Sequence, residues 1–180
     1  MVQQPEAAIY LVDYDPSWPA RFEAERAQLA TALAAWLAGP IEHIGSTAVP
    51  GLCAKPVIDI MAPVHSLEAS RPALPAAQAL GYLYFPHRPA VMHWFCKPSP
   101  TLRTHHLHLV PAGSALWRDR VVFRDCLRRQ PSTAAAYAAL KRELAARHRD
   151  DREAYTDAKA PFIAQVLAAD SLGEPPPAAR

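Results

Sequence analysis

The chain reads as an α+β domain: a mixed, mostly antiparallel sheet with flanking helices and a helical C-terminal third. Three observations predict this. Apolar runs of strand length, bounded by turn residues, lie between residues 41 and 110. From Ser114 onward, apolar residues recur at helical spacing. Strands and terminal helices are segregated along the chain instead of alternating. The 180 residues suit one domain. It is expected over residues 1–170, with residues 171–180, which run into GEPPPAAR, as a disordered tail.

Asp15-Pro16 marks the first helix start, with Asp15 as cap and Pro16 in the first turn. Trp18, Phe22, Leu29, Leu33, Trp36 and Leu37 follow at the period of a buried face, and Gly39-Pro40 ends the run. Strands are expected near 41–45 and 56–62, joined by a Gly-Ser loop. Residues 67–80 read as a helix, weakened by Pro72 and Pro75 and stopped by Gly81. Tyr82 to Phe85 is a short strand. Residues 91–97 and 103–110 are adjacent strands joined by Pro98-Ser99-Pro100. The next helix reaches about Arg129. Ser132 is expected to cap a second and Asp150 or Asp151 a third, which carries Tyr155, Phe162, Ile163 and Val166.

The most informative stretch is IEHIGSTAVPGLCAKPVIDI, residues 41–60. Gly45-Ser46-Thr47 is a small-residue turn whose backbone N–H groups and hydroxyls suit an anion; the plain alternative is a capped turn. Asp59 is a lone carboxylate between apolar strand neighbours, costly unless it is paired or holds a metal. Side chains alternate along a strand, so His106 and His108 share one face while Leu107 and Leu109 share the other. With the leucines in the core, the two imidazoles face outward together. They suit a metal with Asp59 as third ligand, phosphate binding, acid–base work, or hydrogen bonding to the Gly-Ser loop.

Several basic residues stand as phosphate candidates. Lys55 precedes the Asp59 strand and meets either a ligand phosphate or Glu42. Arg103 opens the histidine strand, and its guanidinium suits phosphate. Tyr155 and Lys159 lie four apart on a helix, and either close over the site or pack at its rim. Arg124, with Asp125 and Arg128, reads as a solvated helix face, and His43 as structural.

The segments GSTAVPGL, KPVIDI, RTHHLHLV, FRDCLRRQP and LKRELAARHRDDREAYTDAKAPFI together resemble the GrpB family, from about Tyr10 to Leu167. The resemblance implies a nucleotidyltransferase-like fold. In such proteins a Gly-Ser turn precedes a strand with two acids one residue apart, which hold Mg²⁺ against the nucleotide phosphates. Here the positions flanking Asp59 at that spacing are Val57 and Met61, so the second acid is missing. Members joined to dephospho-CoA kinase imply an accessory role near coenzyme A metabolism.

Two functions follow as expectations. One is transfer of a nucleotidyl or other phosphorus-containing group, with Asp59, His106 and His108 as catalytic and metal-holding residues and Mg²⁺, Mn²⁺ or Zn²⁺ as the ion. Gly45, Ser46, Thr47, Lys55, Arg103, Tyr155 and Lys159 then bind phosphate. The other is a non-catalytic nucleotide- or phosphate-binding module. The expected partner is a nucleotide or another phosphorylated small molecule. A net charge of +2 is too mild to imply nucleic acid. Cys53, Cys96 and Cys126 are dispersed, which suits a reducing cytoplasm. The opening residues lack a signal-peptide pattern, and no apolar run approaches the ~20 residues of a membrane helix.

Overall fold

The computed structural model describes residues 9–173. Its centre is a five-stranded sheet of order β1-β2-β5-β4-β3. The strands are β1 (Glu42–Ile44), β2 (Ile58–Val64), β3 (Leu83–Phe85), β4 (His93–Pro98) and β5 (Arg103–Pro111). β2 and β5 run parallel, and the other three pairings are antiparallel. The helices are α1 (Trp18–Ala32), α2 (Ala73–Ala79), α3 (Ala115–Arg129), α4 (Pro131–Arg147), α5 (Arg152–Asp157) and α6 (Ala160–Leu172). The mixed α+β architecture is the expected one. No helix among the described residues is long and apolar enough to cross a membrane.

The main core lies on one face of the sheet. Trp18, Phe22, Leu29 and Leu33 from α1 and its end, with Ala73 and Ala77 of α2, cover Ile58, Ile60, Phe95, Leu107 and Leu109. Trp36 and Leu37 pack against this core beyond the helix, because α1 stops at Ala32 and a 3₁₀ turn spans Ala34–Trp36. On the opposite face, Leu116, Trp117 and Val121 of α3 pack near Ile44, Met61, Met92 and Val110. α4 and α6 extend that layer, with Leu127, Tyr137 and Phe162 around the Val49–Cys53 loop.

Several local expectations are corrected. Ser17, not Asp15, is the N-cap of α1; Asp15 instead accepts a 2.8 Å hydrogen bond from the Ser17 amide. The helix expected over 67–80 begins at Ala73, after a turn in which Ser70 hydrogen-bonds back to Ser66 and Leu67. Pro131 opens α4, which leaves Ser132 inside it and not at its cap. Asp151 caps a short helix as expected, but the third helix is two: α5 ends at Asp157, and α6 runs from Ala160 to Leu172, past the boundary at 170. The remainder of the expected tail lies outside the described residues.

Arg124 is the largest correction. It is 7% exposed, not a solvated face. Its guanidinium donates to the Glu42 carboxylate at 2.6 Å, to the His43 carbonyl at 2.9 Å, and to the Asp125 carboxylate at 2.8 Å. It thereby ties α3 to β1, the strand that leads into the Gly-Ser turn. Glu42 is engaged there by Arg124.

Breaking a buried pair from one side leaves the partner charge uncompensated. Arg124→Ala should cost roughly 2–4 kcal/mol, moderated because the Glu42 side chain is 28% exposed. Arg128→Ala, one turn further along the same face, where the side chain is 40% exposed and donates to the neutral Ala48 carbonyl at 2.9 Å, should cost only about 1 kcal/mol. Urea unfolding of both variants checks the ordering.

Candidate functional site

The parallel pairing of β2 and β5 puts Asp59 opposite His106 and Met61 opposite His108. Their shared face is the one turned from the main core. His106 Nδ1 lies 2.9 Å from Asp59 Oδ1, and His108 Nε2 lies 3.8 Å from the same oxygen. One donor atom from each residue falls within 4.8 Å of the others. His106 Nε2 is buried and lacks a hydrogen-bond partner. His108 Nδ1 rests 3.4 Å from the Met92 sulfur. The sequence expectation that these three side chains converge therefore holds in geometry.

Burial alone would raise the Asp59 pKa. The hydrogen bond from His106, with both imidazoles close by, outweighs it and holds the carboxyl far below the usual carboxylate range. Burial also pushes the His108 imidazole down, with Asp59 opposing. The centre thus holds an ionised carboxylate beside imidazole nitrogen.

Gly45 makes room for this arrangement. Its φ is +74°, and a Cβ there would sit 2.5 Å from Asp59 Oδ2. The following residues form a 3₁₀ turn, Ser46–Ala48, in which Ala48 and Val49 donate to the Gly45 and Ser46 carbonyls. The Ser46 and Thr47 amides make no bond within that turn. The Thr47 hydroxyl, however, is turned inward: it donates to the Val57 carbonyl at 3.2 Å and meets His43 Nε2 at 3.0 Å. Thr47 is 1% exposed, so its hydroxyl structures the turn instead of facing a ligand. His43 stacks on Phe22 at 4.6 Å, which fits the structural role expected for it.

Ser46 is different. Its Oγ accepts from Lys141 Nζ at 3.0 Å. Lys141, on α4, also donates to the Cys53 carbonyl and lies 4.9 Å from the centroid of the Tyr137 ring. It is 1% exposed, and both of those hydrogen-bond partners are neutral. Sequence reasoning missed it. Two further lysines converge nearby: Lys55 Nζ and Lys159 Nζ lie 5.0 and 4.2 Å from the Tyr155 ring centroid. Tyr155 is 1% exposed, and Lys159 sits in the break between α5 and α6.

Burial, with like charge crowded beside it, depresses the pKa of two of these lysines. Burial lowers Lys141 to about 8; Cys53 opposes this, and Arg142 and Lys55 push the same way as burial. Burial lowers Lys159 to about 7; Lys55, Arg120 and Lys141 push the same way, and Asp59 opposes them. Asp59 and Lys159 thus act on one another electrostatically. Of the other expected phosphate ligands, Arg103 is placed differently: its guanidinium lies 5.4 Å from the Trp94 ring centroid, and its Nε donates to the Pro100 carbonyl.

The donor chemistry fits a divalent transition ion. Two imidazoles and one carboxylate, with positions left open, suit Zn²⁺, Fe²⁺ or Mn²⁺. A two-carboxylate Mg²⁺ site is not built here: the positions two residues either side of Asp59 are the apolar Val57 and Met61, 7% and 1% exposed.

The family model described as GrpB protein matches residues 8–169, and the chain belongs to that family. A UPF0157 protein of Pseudomonas aeruginosa is 43% identical over 165 residues, a match that takes in 88% of this chain and 66% of the relative. The crystal structure of the conserved protein GrpB from Enterococcus faecalis superposes with a TM-score of 0.80 at 31% identity, over 92% of this chain and all of that one. A dephospho-CoA kinase of Mycolicibacterium paratuberculosis is 30% identical over 94% of this chain, which spans 49% of its length.

The buried lysine makes stability depend on pH. Folded Lys141 releases its proton near 8, against 10.5 for an ordinary lysine, so the unfolded chain binds more protons between these values. Stability from this group therefore rises with pH through that window. Lys141→Met removes the contribution. Between pH 7 and 9 the wild type should gain on the order of 1 kcal/mol more than the variant does. Parallel urea titrations at the two pH values check this; equal gains would contradict it.

Proposed function

We propose that this protein binds a nucleotide or another phosphorylated small molecule. Its phosphate oxygens rest against Lys141, Lys159, Lys55 and Ser46, beside a divalent ion held by Asp59, His106 and His108. One observation carries the reading: the Lys141 ammonium, 1% exposed, whose two hydrogen-bond acceptors are both uncharged. A buried cation without a counter-charge is expensive, and a bound anion offsets that cost. The Gly-Ser turn links this cation to the metal-ligand face, since Gly45 abuts Asp59 and Ser46 meets Lys141.

The ion, when bound, acts as a Lewis acid on a phosphoryl oxygen. The chain's own residues do the remainder. Asp59 stays ionised and keeps its imidazole partners oriented. Lys141 and Ser46 fix the phosphate position. Lys159, with a pKa of about 7, gives or takes a proton near neutral pH. In the enzyme reading the group transferred is nucleotidyl or another phosphorus-containing group, in keeping with the nucleotidyltransferase-like fold that the sequence resemblance implies. A second reading has its own support. The apolar burial of Val57 and Met61 where such transferases carry an acid favours a binding module, and similarity to a dephospho-CoA kinase points that module toward coenzyme A metabolism.

Calorimetry with Zn²⁺ or Mn²⁺, followed by inorganic tripolyphosphate, tests the shared core of both readings. The wild type should bind one ion, and Asp59→Asn should lose it while remaining folded. Lys159→Met should keep the ion and weaken tripolyphosphate about tenfold, the loss of roughly 1.4 kcal/mol. Unchanged affinities in both variants would overturn the site. Assaying the loaded protein for pyrophosphate release from nucleoside triphosphates then separates enzyme from binding module.

A further inference from the structure

Beyond the histidines, the sheet face that carries them is aromatic. Trp94 pairs with His108, and Phe85 pairs with Trp94, so these side chains share that face. The Trp94 ring lies 5.2 Å from His106 and 5.7 Å from Phe85, centroid to centroid. His87 meets its edge at 6.0 Å, and the Arg103 guanidinium lies 5.4 Å from its centre. Trp94 and Phe85 are half-buried, and His87 is exposed. β3 is the edge strand on this side of the sheet, and Leu83, on the same face, is 40% exposed. The lysines and the Gly-Ser turn belong to the β1–β2 side of the histidines, and this aromatic group to the β4–β3 side.

The geometry points to a stacking shelf for a planar ring, a nucleobase, carried by the same ligand whose phosphates the lysines hold. This rests on the phosphate site proposed above. Trp94 and Phe85 supply the apolar surface, and Arg103 supplies a planar cation that stacks on aromatic faces. Contact with His106 makes the shelf continuous with the metal-ligand face, so one ligand spans both. Stacking of this kind tolerates changes of base, which predicts weak discrimination among nucleotides.

Calorimetry in the presence of Mn²⁺, comparing ATP with inorganic tripolyphosphate, tests the shelf. ATP should bind the wild type roughly tenfold to a hundredfold more tightly, the range that aromatic–base stacking supplies. Trp94→Leu should remove that advantage and leave tripolyphosphate affinity unchanged, whereas Trp94→Phe should retain most of it. Intrinsic fluorescence gives a second readout: ATP should quench the wild type and not Trp94→Phe, and tripolyphosphate should quench neither. If tripolyphosphate binds and ATP binds no more tightly, or Trp94→Leu weakens both equally, the shelf is wrong and the phosphate site stands. If tripolyphosphate does not bind the wild type, the phosphate site fails and the shelf falls with it. Should Trp94→Leu not fold, quenching by ATP that persists in Trp94→Phe overturns the proposal.

Discussion

The register of the parallel β2–β5 pair governs the rest of the molecule. It puts Asp59 beside His106 on one face and buries Ile58, Ile60, Leu107 and Leu109, each 0% exposed, on the other. A slip of β5 by one residue would drive two imidazoles into the main core and turn Leu107 and Leu109 out of it. The same alternation that fixes the fold therefore fixes the site. Gly45 completes it from the neighbouring strand end, because any larger residue would collide with the Asp59 carboxylate.

The helical layer adds what the sheet lacks. α4 sends Lys141 to the Gly-Ser turn, and the break between α5 and α6 places Lys159 against Tyr155. These cations crowd one another and are largely removed from water, an arrangement that lowers the stability of the ligand-free protein. Arg124 contributes in the opposite sense. Its bonds to Glu42 and to the His43 carbonyl clamp α3 onto the strand that feeds the turn, so the backbone there is held before any ligand arrives.

Local chemistry made much of this legible in the sequence. The alternating His-Leu-His-Leu run announced both its core face and its outward imidazoles, and the lone acid in an apolar strand announced its need for a partner. The Gly-Ser turn was visible from residue size alone. What stayed hidden depends on contacts distant in sequence. Lys141 sits in AALKRELA, where a lysine reads as solvated; its burial comes from Ser46 and Cys53, far upstream. Arg124 likewise looked like one member of a charged helix face until Glu42 and His43 packed against it. Thr47 looked interchangeable with Ser46, yet adjacent positions in a tight turn point in different directions, and only the fold says which faces inward.

The central claim is that Asp59, His106 and His108 hold an ion next to a lysine-lined phosphate site. Anomalous diffraction from crystals grown with Zn²⁺ and inorganic tripolyphosphate addresses it most directly. One anomalous peak is expected about 2.0–2.2 Å from a nitrogen of each histidine and from an Asp59 oxygen. Phosphate density should reach from that ion to the Lys141 and Lys159 ammonium groups. An ion bound elsewhere on a fully loaded protein, with the triad still internally hydrogen-bonded and the lysines without an anion, would contradict the account.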